Sequence, residues 1–354
     1  MEKLKLNETP VRTSRNYNIN NITLENIKIP ENIESFENVE IKGESSKIKI
    51  DSKVNNCDLV YGLLDTLTNQ VKEHANQKLM VSIDSKTNQE VQIGFTFDNK
   101  NSQLIDHIQV ESRENTKATV IIKYEAKEGV EAFHNGMIKI HAKKGSEINV
   151  ILLNLMNLSS NHFMSIENEL EEDANLKYTI IDFGGKNSIS NYYANLKGNS
   201  CQNTLNTIYL GKENQVFDLN YIGELRGEKS NINIEVEGAL RDTAKKHFKG
   251  TIDFKKGCKK ASGNENENCM LLSDTAKSLA LPMLLCSEEE VEGNHSSSAG
   301  KVGDKELFYI MSRGFEKKEA MKLMVRAKFN KIIENIKNEE LKNKVIEEID
   351  KRLD

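Results

Sequence analysis

The chain has 354 residues, of which 37% are hydrophobic and 29% charged, with a formal net charge of −5 at pH 7. This is enough apolar material for one elongated domain or two compact ones. The net charge and the lack of a dense lysine–arginine block argue against a nucleic-acid-binding protein.

The amino-terminal segment, MEKLKLNETPVRTSR, has no apolar stretch of the kind found in secretory signals. The longest dense apolar run, Leu279–Leu285, contains Pro282 and is too short to cross a bilayer. We therefore expect a cytoplasmic protein with no membrane partner. The cysteines form no CxxC pair, so we expect free thiols and neither a disulfide framework nor a structural zinc site. They are Cys57, Cys201, Cys258, Cys269 and Cys286.

Residues 1–77 are predicted to form a mixed α/β region. Alternating apolar residues in Val39–Ile50 indicate short strands. The segment Val60–Ala75 is predicted to be an amphipathic helix, because apolar residues recur on one of its faces. These are Leu63, Leu64, Leu67 and Val71.

Residues 78–303 are dominated by strand-length alternating segments, such as EVQIGFTF, ATVIIKYEA and FDLNYIGEL. Helices do not alternate with these segments, which argues against a doubly wound sheet. Turn clusters recur every few tens of residues, a rhythm typical of stacked coils, so we predict a β-helix. A large β-sandwich is the competing interpretation. The turn clusters lie near Gly145, Glu172, Gly198, Gly227 and Gly257.

Residues 304–354 are predicted to be helical, and the first helix should end at Gly314. The next two helices have apolar stripes. We expect these helices either to cap the last coil or to form a docking surface. The predicted stripes are Ala320, Leu323, Met324, Ala327 and Ile332 in one helix, and Leu341, Val345, Ile349 and Leu353 in the other.

Motifs of the common enzyme classes are absent from the sequence. The string nearest to a phosphate-binding loop, Gly293–Lys301, has the wrong spacing and is followed by Val302 instead of serine or threonine. We therefore expect that this chain binds no nucleotide itself. The isolated histidines are predicted to be surface or turn residues rather than ligands. These are His134, His141, His162 and His247.

One stretch, residues 239–315, combines groups that bind iron. Cys269, Cys286 and His295 lie there with the acidic residues Glu288–Glu290 and Glu292. Thiolate and imidazole are common ligands of iron and iron–sulfur clusters. The two cysteines are separated by about one coil, which would make them neighbours in a stack. Two buried thiols beside a polar loop are the alternative.

The same stretch resembles the core domain of the SufB/SufD family of iron–sulfur cluster assembly scaffolds. The family motifs occur in the family's order, and the best match covers the last third of the chain. The matching residues are Phe248, Gly250 and Ile252, then Met270–Asp274, Pro282–Leu284, a loop from Val291 to His295, Leu307–Ile310 with Ser312–Gly314, and Glu319-Ala320.

The resemblance implies a right-handed parallel β-helix core with terminal helical regions and no enzymatic activity. It also implies two partners: a SufC-like ABC ATPase, and a SufB-like subunit or a second copy of the chain. The ATPase would dock on the carboxy-terminal helical region, residues 304–354. The expected partner-binding residues are Leu307, Phe308, Tyr309, Arg313 and Gly314.

Within the family the sequence favours a SufD-like chain. His295 matches the functional histidine of SufD-like proteins, whereas Ser296 replaces the glutamate that SufB-like proteins carry next to it. Glu267 stands where SufB-like proteins have an assembly cysteine, and Cys269 lies two residues away on the same face if the segment is extended.

We therefore expect His295 to receive iron or to ligate a nascent, transient cluster, with Cys286 and secondarily Cys269 contributing sulfur ligands. A metal-free interface role of His295 and a self-pairing SufB-like scaffold remain as alternatives. A β-helix carbohydrate-active enzyme is a remote one, because the chain has no tryptophan and only 6% aromatic residues.

Overall fold

The computed structural model describes residues 3–13, 19–55 and 58–354. They form a mainly β protein in which short amino-terminal strands and one helix precede a long two-sheet solenoid and three carboxy-terminal helices. The amino-terminal elements are β1 (Lys3–Leu6), β2 (Ile22–Glu25), β3 (Val39–Lys42), β4 (Ile48–Asp51) and α1 (Asp65–His74).

The predicted β-helix is confirmed as a parallel β-solenoid, so the β-sandwich interpretation is wrong. Odd-numbered strands lie in one sheet and even-numbered strands in the other, and eight coils stack. At the first coil, β4 and β3 extend the two sheets through antiparallel pairs. The solenoid strands are β5 (Gln77–Ile83), β6 (Glu90–Phe97), β7 (Gln103–Ser112), β8 (Lys117–Ala126), β9 (Phe133–Ala142), β10 (Glu147–Leu155), β11 (Asn161–Leu170), β12 (Asn175–Asp182), β13 (Asn187–Leu196), β14 (Gln202–Gly211), β15 (Val216–Leu225), β16 (Asn231–Leu240), β17 (Lys245–Phe254), β18 (Ser262–Leu271), β19 (Lys277–Cys286) and β20 (Glu292–Lys301).

The core lies between the two sheets. Strand side chains alternate in direction, and the parallel register places equivalent inward residues of successive coils above one another. Leu170, Leu196, Leu225 and Phe254 form one such column, and each is almost completely buried. Burying a side chain of this size contributes about 1.5–3 kcal/mol to the free energy of unfolding. Because the column continues from coil to coil, the coils stabilise one another.

Six successive coils, from β7–β8 to β17–β18, repeat the same left-handed backbone conformation in the turn between their two strands. The amide of the residue at this position donates to a carbonyl in the next turn, for instance from Asp173 to Asn199 at 2.9 Å and from Ser200 to Glu228 at 2.8 Å. The turns therefore stack as a ladder, and the predicted turn clusters fall between strands as expected. The left-handed residues are Asn115, Gly145, Asp173, Ser200, Lys229 and Lys260.

The carboxy-terminal helices are α2 (Asp304–Ser312), α3 (Lys317–Ile333) and α4 (Glu339–Leu353). The predicted end of the first helix is confirmed, because Gly314 has φ +99° and follows the last turn of α2. The hairpin of α3 and α4 does not cap the last coil. It packs on the outer face of the even-numbered sheet, where Phe329 and Val345 join Ile151 and Ile181 in one buried cluster.

The buried face of α3 differs from the predicted stripe. Ala320 and Ile332 are buried as predicted, but Leu323 is 37% exposed and Ala327 is also exposed. Val325, Phe329 and Ile333 fill the contact instead. The apolar residues of this helix do not mark a single face, so only docking on the sheet selects one. The stripe predicted for α4 is confirmed in full. In the described part of the chain, no helix is long and apolar enough to span a membrane.

The amino-terminal elements cover the outer face of the odd-numbered sheet. Leu6 of the first strand and Leu67 of α1 pack with Phe163 and Ile189 there. Helix α1 is shorter than the predicted Val60–Ala75, because Leu64 has an extended backbone and caps a helix that begins at Asp65. The two short strands predicted within Val39–Ile50 are confirmed as β3 and β4.

Candidate site at the open end of the solenoid

The last coil, β19 and β20, leaves both sheets with an open edge. Each of these strands ends its sheet, and every residue of β20 is exposed. An edge strand presents unpaired backbone amides and carbonyls that can pair with another chain. The candidate residues of the sequence lie on or beside this coil.

The loop predicted from Val291 to His295 is wrong, because β20 begins at Glu292. Glycine, asparagine and serine have low strand propensity, but pairing with β18 overrides it. Outward-facing side chains add a polar ladder between the two strands. Its hydrogen bonds join Asn294 to Asn264 at 3.1 Å, Ser296 to Asn266 at 2.7 Å and Ser298 to Asn268 at 2.7 Å.

His295 lies at the fourth position of β20 and is exposed. It pairs in register with Glu265 of β18, so the two side chains share the inner face of the sheet. Within the described part of the chain, His295 forms no hydrogen bond or ion pair, so neither ring nitrogen has a protein partner there. Ser296 faces the opposite side and donates to Asn266.

The two candidate cysteines lie on different sheets and in different surroundings, so the expectation that they are neighbours is wrong. Cys269 is buried on β18, and burial raises the pKa of its thiol despite the nearby Lys246 ammonium. Cys286 is exposed at the end of β19 and donates to the Glu288 carbonyl at 2.9 Å. Its register partner on β17 is Phe254, whereas Cys269 pairs with Gly238 and Ala299 in the other sheet.

Cys269, Cys286, Cys258 and Cys201 are free thiols, as expected, and Cys57 lies outside the described residues. Burial raises the pKa of Cys201 to about 11, so this thiol stays protonated and packs as a core residue. Cys286 is therefore the accessible thiol among the described cysteines.

A buried ion pair that sequence analysis missed lies under the last coil. The Lys246 ammonium and a Glu267 oxygen are 2.7 Å apart, and both side chains are fully buried. The Tyr209 hydroxyl donates to the same oxygen at 3.1 Å, and the Ser297 hydroxyl donates to the other oxygen at 2.8 Å. The Glu267 carboxylate is thus held by a residue of its own coil, by one of the following coil and by Tyr209 two coils earlier.

Glu265 is a second buried carboxylate that sequence analysis missed. Its side chain is fully buried, and neither of its oxygens has a hydrogen-bond partner in the described structure. Burial, with a smaller effect of Glu267, raises the pKa of Glu265 to about 8. The alternation in SGNENENC could have indicated both glutamates, because every second residue of a strand faces the same side.

The described residues of one chain provide too few ligands at this end for a complete metal site. Across residues 3–13, 19–55 and 58–354, no group of three or more histidine, cysteine, aspartate or glutamate side chains is arranged to hold a metal ion. His295 and Glu265 provide two potential ligands on one face. A tetrahedral or octahedral iron site needs further ligands from solvent, sulfide or another chain.

The expected partner-binding residues lie on α2, which has no buried residue. Phe308 is 73% exposed and Tyr309 58% exposed. The Arg313 guanidinium donates to the Tyr309 hydroxyl at 2.9 Å and holds that ring in place. Leu307 is half-buried, and Gly314 ends the helix. An apolar surface of this kind is typical of protein–protein contacts.

The histidine prediction is wrong for the middle of the solenoid. His134 and His162 lie in register inside it, with their Nδ1 atoms 2.7 Å apart. His134 also contacts Asp106 at 2.6 Å, and the Tyr124 hydroxyl donates to the same carboxylate at 2.9 Å. Burial lowers the pKa of His162, so its ring is neutral and acts as a core hydrogen-bonding group.

The two remaining histidines behave differently. His141 is partly exposed, as predicted, and lies 2.9 Å from a Glu171 oxygen. His247 is buried, contrary to the prediction, and lies 3.0 Å from a carboxylate oxygen of Asp218. Its burial follows from the amino-terminal segment, since the side chain of Asn7 also donates to Asp218.

Comparison with known proteins agrees with this architecture. The family described as "SUF system FeS cluster assembly, SufBD core domain" matches residues 95–328. The iron–sulfur cluster assembly protein SufD of Escherichia coli is 24% identical over 240 residues, which is 68% of this chain and 57% of that protein. The SufD of Bacillus subtilis is 25% identical over 181 residues, or 51% of this chain and 41% of that protein.

An archaeal relative, the SufBD family protein of Pyrococcus horikoshii, is 29% identical over 161 residues, covering 45% of this chain and 35% of that protein. The chain spans about half or less of the length of these curated relatives. The family match, in contrast, covers about two thirds of the chain and runs from within β6 through β20 into α3. The chain therefore belongs to the SufB/SufD family of iron–sulfur cluster assembly proteins.

Proposed function

We propose that this chain is a SufD-like, non-catalytic scaffold subunit that receives iron or a nascent iron–sulfur cluster at an interface formed by the end of its solenoid. The observation that carries the proposal is the position of His295. It lies on the exposed last strand, at an open sheet edge, and no hydrogen bond or ion pair in the described part of the chain engages its ring. Neutral imidazole is a good ligand for ferrous iron.

The open edges of β19 and β20 support pairing with another solenoid. Backbone groups of an edge strand can continue the sheet into a partner chain, and the surface polar ladder keeps this edge soluble until then. A SufB-like subunit is the proposed partner, and a second copy of this chain is the alternative. Pairing would bring further thiolate or carboxylate ligands to His295.

The departures from the SufB pattern favour a SufD-like role. Ser296 faces away from the inner side of the sheet and cannot replace a glutamate there. Glu267 carries a carboxylate where SufB-like proteins have a thiol, and its two oxygens are already engaged by Lys246 and Ser297. Cys286 is exposed and is the better sulfur ligand, whereas Cys269 would require opening of the core.

The apolar surface of α2 is the proposed docking site for a SufC-like ABC ATPase. Helix α2 has no buried residue and lies next in the chain to the hairpin of α3 and α4, which packs on the solenoid. This arrangement would let the ATPase transmit movement to the sheet without contacting the cluster. Nucleotide would bind to the ATPase, and the complex would act in the cytoplasm.

Anaerobic purification of the tagged chain from its native host would test the proposal. We expect an ABC ATPase and a second solenoid subunit to co-purify. The His295→Ala variant should retain both partners and the thermal unfolding temperature but lose most of the iron and sulfide. Asn294→Ala, on the same strand but facing outward, is the matched control. Wild-type iron and sulfide content in His295→Ala would contradict the proposed role.

A further inference from the structure

A buried carboxylate without a hydrogen-bond donor is costly, and Glu265 is such a group. Its side chain is fully buried, and both oxygens are unpartnered. The Lys246 ammonium, which is buried in the same coil, is already engaged with Glu267 at 2.7 Å. The fold therefore does not use Glu265 to balance a charge.

The core makes room for this carboxylate. A Cβ atom added at Gly250 would lie 2.1 Å from a Glu265 oxygen, so only glycine leaves the space that the carboxylate occupies. Pro282 of β19 is the register partner of Gly250, and His295 of β20 is the register partner of Glu265. The Glu265 carboxylate thus lies against Gly250 in its own coil, and the exposed imidazole is on the adjacent strand of the next coil, on the same inner face.

The spacing suits a shared ion. Neighbouring strands lie about 4.8 Å apart, so in-register side chains on one face can contact the same small cation. Carboxylate and imidazole together suit divalent first-row metals such as ferrous iron. Two protein ligands also leave coordination positions open for solvent, sulfide or ligands from a partner chain.

We propose that Glu265 is a second ligand for ferrous iron and binds it together with His295 at the open end of the solenoid. This inference rests on the proposed function, since it assigns a partner ligand to His295. Iron enters past the exposed imidazole of β20 and is also bound by the carboxylate of β18, one strand further into the solenoid. Glu265 is therefore retained for binding, at a cost to stability.

Titration of the anaerobic full-length chain with Fe²⁺ alone, followed by calorimetry, would test this inference. We expect one ion to bind per chain. Loss of an outer-shell partner typically lowers metal affinity by about 10–100-fold, so loss of a direct ligand in Glu265→Gln or His295→Ala should lower it by roughly tenfold or more. The Fe²⁺ affinity of the double variant should be close to that of each single variant, because both residues bind the same ion.

The Glu228→Gln variant, which makes the same substitution in an exposed turn, should bind Fe²⁺ as the wild type does. A structural role for Glu265 is distinguished by thermal unfolding: Glu265→Gln should unfold close to the wild-type temperature, because the amide matches the protonated carboxyl group in size and brings no charge into the core. A Glu265→Gln variant that unfolds earlier and keeps its Fe²⁺ affinity would overturn the inference, as would a wild-type chain that binds no Fe²⁺.

Failure of the inference and failure of the proposed function give different results. If His295→Ala abolishes cluster formation in the purified complex and Glu265→Gln leaves both Fe²⁺ affinity and cluster content unchanged, the inference fails and the proposed function stands. If neither variant changes cluster content, the proposed role of His295 fails.

Discussion

Single ionisable residues inside the solenoid set its pH response. Asp106, Asp182 and Glu267 are buried among apolar side chains, and each is satisfied by donors from neighbouring strands. Burial disfavours the ionised form of a carboxylic acid, and hydrogen bonds or a nearby cation favour it. At Asp182 burial outweighs both the hydrogen bonds and the Arg352 guanidinium, so the pKa rises.

Asp182 provides a test of this balance. It accepts hydrogen bonds from Ser188 at 2.7 Å and Asn154 at 2.9 Å, yet burial raises its pKa to about 7. An unfolded aspartate ionises near pH 3.9. Between about pH 4 and pH 7 the folded state therefore keeps a proton that the unfolded state loses. The contribution of Asp182 to stability is complete below about pH 4 and is lost as the pH rises toward 7.

We expect Asp182→Asn to remove this part of the pH dependence. The difference in unfolding free energy between variant and wild type should change by up to about 4 kcal/mol between acidic and neutral pH. Urea unfolding of both proteins at about pH 4.5 and pH 7.5 measures it. Comparison with the wild type cancels the effects of other groups, including Glu265. Equal pH slopes for the two proteins would contradict the raised pKa.

Gly238 illustrates how closely the interior is packed. A Cβ atom at this position would lie 1.8 Å from the Tyr209 ring, whose hydroxyl donates to Glu267. We expect Gly238→Ala to displace the ring and to lower the free energy of unfolding by about 1–3 kcal/mol. Gly300→Ala is the control, because its Cβ atom would meet open space. A similar small effect of both substitutions in urea unfolding would show that the ring moves freely.

At the level of elements, the sequence predicts best where local pattern and tertiary contacts agree. The alternating, turn-bounded segments predicted the solenoid, and the stripe of α4 predicted its buried face. The left-handed turn position is filled by Asn115, Asp173, Ser200 and Lys229 as well as glycine, so the repeat has no consensus residue. Strand β20 has loop-like composition and becomes a strand only through pairing with β18.

The candidate site was only partly predictable for the same reason. His295 was identified from a family motif and Cys286 from its ligand chemistry, and both fall on the last coil. Glu265 and Lys246 lack a motif, and their importance depends on burial that only stacking of coils creates. The separation of Cys269 from Cys286 depends on which sheet each strand joins, and spacing along the chain does not define that.

The proposed pairing of the free edge of β20 with another chain can be tested by removing one backbone N–H donor from that edge. The amide of Glu292 donates toward β18, and amides alternate along a strand, so the amide of Ala299 points away from the solenoid. We expect Ala299→Pro to leave the chain folded and to weaken pairing with the second solenoid subunit while the ATPase is retained. Ala299→Ser keeps the amide and is the control. Unchanged co-purification of the second subunit would argue against edge pairing.

At the scale of the whole molecule, stability should vary along the solenoid. Each coil contacts mainly its neighbours, so the stability of the stack approximates a sum of neighbouring interfaces. The middle coils gain additional burial, because the hairpin of α3 and α4 covers the strands from β8 to β16 on one side. The amino-terminal elements cover the opposite sheet. The last coil has neither cover nor a following coil.

Hydrogen exchange should therefore follow this gradient. We expect the amides of β20 and β19 to exchange fastest among the solenoid strands and those of β11 to β15 slowest, because local opening is easiest where burial is least. Addition of the second solenoid subunit should slow exchange in β19 and β20 and leave the middle coils unchanged. Addition of the ATPase alone should instead slow exchange in α2. Slow exchange in β20 of the isolated chain would mean that its edge is already paired, as in a self-paired scaffold, and concentration dependence of that protection would identify a second copy as the partner.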